Sequence, residues 1–139
     1  MAYSTKADLL GLITEDTLIG LTDDHGVGVV DDGKVLEAIA DSDAEIDGYC
    51  GERYTLPFSP VPAIIRKCSI DIAIYNLYSR RQGAPTDRKE RRDNAVTILK
   101  EIAKGTITLG ANAPAEAGAD DVQASSPERI FTRTTLEHY

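Results

Sequence analysis

The chain has 139 residues, 42% of them hydrophobic and 27% charged, with a formal net charge of −8 at pH 7. That is one domain's worth of protein, long enough to bury a sizeable core, too apolar for wholesale disorder, and without the run of about 18 apolar residues that a membrane span needs. Two cysteines, two histidines and no tryptophan leave no disulfide framework, no paired-cysteine metal spacing, no glycine-rich phosphate loop and no nucleophile elbow. Composition therefore points to a structural or interaction protein that catalyses no reaction and needs no cofactor and no metal. Cys50 and Cys68 are read as buried thiols in a reducing compartment, and the stretch from Met1 to Leu21 lacks the pattern of a signal peptide.

In chain order, Thr5-x-x-Asp8 is a capping-box start, followed by Leu9, Leu10 and Leu12. A second short helix is expected from Thr14 to Leu21, its Glu15 and Asp16 well placed against the N-terminal dipole. Thr22 to Asp31 is an Asp- and Gly-rich loop. It resembles a calcium loop only in part, because Val27 and Lys34 stand where oxygen ligands are required; a plain turn is the better reading, with His25 in solvent. Asp32 is the expected N-cap of a longer helix through about Arg53, which places Val35, Ile39, Ser42, Ile46 and Tyr49 on one face with Cys50 beside them. Its opposite face is acidic, with Glu37, Asp41, Glu45 and Glu52. Pro57, Pro60 and Pro62 impose an extended connection.

The next helix starts at Pro62 and runs to about Ser79. Ile64, Ile65, Cys68, Ile72, Tyr75 and Leu77 make it apolar around most of its circumference, as expected of the central helix of a bundle. Gly83-Ala84-Pro85 ends it. Asp87 begins the last long helix, with Ala95, Ile98, Leu99 and Ile102 as its buried stripe and Gly105 past its end. Thr106 to Leu109 alternates like a short strand, Gly110 to Pro127 has the composition of a linker, and Arg129 to Arg133 reads as a second short strand. The expectation is an all-α fold: a bundle of three main helices plus short N-terminal ones in residues 1–105, then an extended arm in 106–139.

Charge is unevenly spread. Residues 1–60 carry 13 acids against three bases, residues 61–104 ten bases against five acids, and residues 105–139 five acids against two bases. Such complementary regions can meet within one copy or between neighbours. Arg80, Arg81, Arg88, Lys89, Arg91 and Arg92 form the one basic group suited to phosphate. The interspersed acids Asp87, Glu90 and Asp93 weaken it, and no aromatic residues accompany it for base stacking. The expected roles are a subunit interface or a DNA channel wall built from Arg80, Arg81, Arg88, Arg91 and Arg92 with Asp41 and Glu45 as the opposing acids. An alternative is a small nucleic-acid-binding helical module using Arg80 to Arg92. Arg129, Ile130, Phe131, Thr132 and Arg133, an extended segment with one large aromatic, suit docking onto a partner or pairing back with Thr106 to Leu109.

Several stretches also resemble a known family, in order and over nearly the whole chain. These are Asp43-Ala44-Glu45-Ile46-Asp47-Gly48-Tyr49 with Arg53-Tyr54 and Leu56-Pro57; Asp71-Ile72-Ala73 with Tyr75, Leu77 and Tyr78; Ile102-Ala103-Lys104-Gly105 with Leu109-Gly110; and Phe131-Thr132-Arg133. The resemblance is to neck proteins of Mu-like phages and prophages, a family similar to the head–tail connector (adaptor) proteins of tailed phages. It implies a virion protein made in the bacterial cytoplasm and placed at the head–tail junction. There it would form a homo-oligomeric ring, typically twelve-fold, around the DNA exit channel. The portal and a stopper or tail-terminator protein are the implied partners, with packaged DNA nearby and no membrane. Cys50 stands where the family more often has leucine, a core substitution.

Overall fold

The computed structural model describes residues 2–81 and 83–109. They form five helices: α1 (Lys6–Leu10), α2 (Glu15–Thr22), α3 (Asp32–Cys50), α4 (Ala63–Ser79) and α5 (Thr86–Lys104). The all-α expectation holds among the described residues. The strand expected at Thr106 to Leu109 does not form: those residues are irregular, and Ile107 and Leu109 instead pack against the core. Alternation there reflects half-burial on the bundle end, and no partner strand lies among the described residues for its backbone groups. The segment Arg129 to Arg133 lies outside the described residues.

Local chemistry sets the helix ends. Thr5 Oγ1 accepts the Asp8 amide at 3.3 Å while Asp8 Oδ2 accepts the Thr5 amide at 2.9 Å, a complete capping box. Thr14 caps α2 through the Thr17 amide at 3.1 Å. The cap of α3 is Asp31 rather than Asp32, its carboxylate accepting from Gly33 N at 3.0 Å and Lys34 N at 3.4 Å. Pro62 and Pro85, with extended backbone, precede α4 and α5. At the end of α5, Gly105 adopts φ 86°, and the Gly105 and Thr106 amides donate to Ile102 O (3.1 Å) and Glu101 O (2.9 Å). This is the Schellman arrangement that glycine makes without steric cost.

α4 is the central helix, packed along both α3 and α5, with α1 and α2 laid against α3 and α4. The core has two parts. One gathers Ile46, Cys50, Ile65, Cys68, Ile72, Ala95, Leu99 and Ile102 with Tyr3, Tyr54 and Phe58. The other gathers Leu9, Ile13, Leu18, Leu21, Val35, Ala38, Ile39, Ala73, Ile74 and Leu77. Phe58 is fully buried within the proline-rich connection, its ring centroid 5.7 Å from Tyr3 and 5.9 Å from Tyr54. Tyr3 closes this end: its hydroxyl donates to Asp47 Oδ1 at 2.6 Å and accepts the Phe58 amide at 3.4 Å. The Tyr54 hydroxyl accepts the Leu109 amide at 3.3 Å.

A small set of hydroxyls is buried alongside these apolar groups. Ser69 Oγ lies 2.7 Å from Ser4 Oγ and 3.2 Å from Ser42 Oγ, and donates to Asp43 Oδ1 at 3.0 Å. The second Asp43 oxygen accepts the Tyr3 amide at 3.0 Å. Burial raises the Asp43 carboxyl above the usual aspartate range, though these hydrogen bonds oppose the shift. The network ties the N-terminal segment to α3 and α4.

Candidate interaction surfaces

The basic group divides by where each guanidinium finds its acceptors. Arg80, just past the end of α4, donates to Leu21 O at 2.8 Å and to Asp24 Oδ2 at 2.6 Å. Arg81 reaches Gly20 O and Asp23 O, both at 3.3 Å, and lies 3.4 Å from Asp24 Oδ1. Both therefore latch the C-terminal end of α4 to α2 and the loop after it. The hydrogen bond from Arg80 holds the Asp24 carboxyl below its ordinary range. Asp23 stabilises the loop from within, its two oxygens accepting the Val27 amide at 2.9 Å and the Gly28 amide at 2.7 Å. Both oxygens are thus used to shape a turn. No group of three or more metal-ligating side chains occurs among the described residues.

Arg92 projects from α5 onto α3, where its Nη2 donates to Glu45 at 2.9 Å and its guanidinium lies 5.4 Å from the centre of the Tyr75 ring. Cation–π contact and ion pair together fix the α3–α4–α5 junction. Arg88 is largely buried, with Nη2 donating to Leu12 O at 3.3 Å and Nε 3.9 Å from Asp87. Arg88 Nη1 and Arg92 Nε are buried with no hydrogen-bond partner among the described residues. Four of the five expected arginines therefore make contacts within the fold. Arg91 is exposed, and so is Asp41 on α3; the structure does not bring these two together.

Sequence reasoning missed the more open feature. A groove of about 370 Å³ runs beside α1, with Leu12, Ala63 and Ile70 on its apolar floor and Arg66, Lys67 and Arg91 around it, together with Asp8 and Asp71. Lys67 pairs with the buried Asp71 carboxylate at 2.9 Å. The signal was present: Arg66 and Lys67 are the only bases on a helix that is otherwise apolar round most of its surface. A second exposed strip lies on α3, where Leu36 stands 63% exposed beside Glu37, Ala40 and Asp41.

Residues 3–126 match the family described as "Bacteriophage Mu, Gp36". The chain belongs to the Mu Gp36 family. Among relatives, the chain is 31% identical over 139 residues to "Gene product J" of Escherichia phage Mu, covering 96% of each chain. It is 36% identical over 81 residues to "Mu-like prophage FluMu protein gp36" of Haemophilus influenzae, a match covering 58% of this chain and 56% of that relative. The expected membership of a Mu-like phage family is thereby met; three of the four ordered stretches fall within the matched residues, and Phe131-Thr132-Arg133 lies beyond them. No helix among the described residues is long and apolar enough to cross a membrane.

Proposed function

We propose that this Mu Gp36 family protein is a structural subunit of the phage neck, a head–tail connector (adaptor). It would assemble into a ring that joins the portal to the tail around the DNA exit channel. The observation that carries this reading is the family match across residues 3–126, on a small helical domain whose acids and bases are unevenly spread along the chain. A ring requires each subunit to offer two different, complementary surfaces, and the charges that the fold leaves exposed, Arg66 and Arg91 among the bases and Glu37 and Asp41 among the acids, are available for them. The work is geometric rather than chemical: holding neighbouring copies, a portal on one side and a stopper or tail-terminator on the other. The segment Arg129, Ile130, Phe131, Thr132 and Arg133 is the docking strip of this reading, with Phe131 as its anchor.

The test is a phage or induced prophage lacking this gene, complemented by the wild-type chain. Filled heads and free tails that fail to join are expected by electron microscopy, with joined virions restored on complementation. Antibody-coated gold should mark the head–tail junction of complemented particles. Normal joining without the gene, or gold confined to another part of the virion, would overturn the proposal.

A further inference from the structure

The groove beside α1 and the outer strip of α3 have opposite charge and matching apolar centres. We infer that they are the two halves of one contact between copies of this chain. Leu36 of one copy seats over Leu12 and Ile70 of another, with Arg66 and Arg91 facing Glu37 and Asp41. The inference rests on the ring reading and says which surfaces would meet.

Three observations support it. Leu36 and Leu12 are 63% and 44% exposed, and each sits among charges rather than in an apolar field. The charges without an ion pair among the described residues are of opposite sign: Glu37 and Asp41 accompany Leu36, where Asp32 is already paired with Lys6 at 2.8 Å, while Arg66 and Arg91 border the groove that Leu12 lines, where Lys67 is held by Asp71 at 2.9 Å and Asp8 caps α1. Finally, the fold leaves these charges available. Arg80, Arg81, Arg88 and Arg92 make contacts inside the subunit, whereas Arg66 and Arg91 form no ion pair among the described residues. An apolar anchor flanked by free charge of one sign, meeting an apolar floor flanked by free charge of the other, is how a contact gains both affinity and register. A phosphate backbone would use the arginines but leave Leu12 and Ile70 without a partner.

The experiment uses full-length chains carrying Leu12→Cys or Leu36→Cys; the native Cys50 and Cys68 are buried and do not compete. The two variants are mixed in equal amounts at high concentration under mild oxidation. A disulfide joining position 12 of one chain to position 36 of the other should form at least about fivefold faster than either like pair, the excess of a contact of about 1 kcal/mol. Arg91→Glu in the first variant should remove that excess, and Glu37→Lys in the second should restore it. Like pairs forming as fast as the mixed pair would overturn the inference. So would a peptide of residues 110–139, or a short DNA duplex, shielding Leu12→Cys from alkylation while the mixed pair fails to form, since the groove would then serve that ligand. Light scattering separates this inference from the ring itself. A closed oligomer carrying the mixed pair supports both. A mixed pair confined to a dimer keeps the contact and removes the ring, and a closed oligomer without the pair keeps the ring and removes this contact.

Discussion

Replacing Phe58 by alanine tests whether the proline-rich connection belongs to the core. The ring has no solvent exposure and lies in tilted contact with Tyr3 and Tyr54. Truncating a buried phenylalanine costs about 3–5 kcal/mol, including the cavity left behind. The two aromatic contacts, at about 0.5–1.5 kcal/mol each, account for roughly 1–3 kcal/mol of that. Taking about 4 kcal/mol, and an unfolding entropy of about 0.2 kcal/mol/K for roughly a hundred ordered residues, the melting temperature should fall by about 20 °C. Urea unfolding followed by far-UV circular dichroism measures the change directly, and the urea dependence should keep its slope. Phe58→Leu, which fills part of the space, should recover about half of the loss. A loss below about 1.5 kcal/mol for Phe58→Ala would refute the reasoning. The connection would then be a surface loop resting on the bundle, and Tyr3 would have no aromatic anchor.

Gly105→Ala should cost about 1–2 kcal/mol, because alanine resists the positive φ and its Cβ would lie 2.8 Å from the Arg53 guanidinium; unchanged stability in the same urea titration would mean that the turn rearranges freely. Burial pushes the Cys50 thiol up to about 12 and the Cys68 thiol up to about 11. The unfolded chain loses these protons first, so stability should hold below pH 9 and fall as pH rises toward 11. In that window Cys50→Ala/Cys68→Ala should show a shallower pH slope, and a slope equal to wild type would dissociate the decline from the thiols. Native protein at pH 8 should react with a soluble aromatic disulfide only at the rate of unfolding; prompt reaction would contradict the burial. Glu45→Ala should cost about 1 kcal/mol, a partly buried pair being worth less than a fully buried one. Arg92→Leu together with Glu45→Leu should recover most of that cost, and a double variant as weak as the sum of the singles would argue against coupling.

The fold was largely legible because its signals are local. Leu9, Val35, Ile39, Ile46, Ile72 and Leu99 recur at helical spacing and are all buried, and Thr5, Pro62 and Gly105 mark ends by chemistry that acts within a few residues. Phe58 and Tyr3 escaped notice for the opposite reason. Each lies in a segment without periodicity, and each is buried by residues distant in sequence, Tyr3 bonding to Asp47 and Phe58. The same limit governed the charges. Runs of arginine are visible in one dimension, but Arg92 finds Glu45 47 positions away and Arg80 finds Asp24 56 positions away. Which cations remain on the surface is decided only by packing. Arg66 and Arg91, half a groove each, are 25 residues apart in the chain and belong to different helices. The strand reading of Thr106 to Leu109 failed for a related reason: alternation reports two-sided exposure, and the end of a helical bundle presents two sides as readily as a sheet does.

The Schellman turn at Gly105 sends the chain back over the bundle end, so that Leu109 meets Tyr54 where Tyr3 meets Phe58. The entering and leaving segments thus pass the same pole of the molecule, while the Asp23–Val29 loop, clasped by Arg80 and Arg81, occupies the other. Cargo fused ahead of Tyr3, or in place of the residues after Leu109, would crowd one rim of any assembly built from this subunit. An insertion between Gly26 and Gly28 would project from the opposite rim, giving the experimenter independent access to each.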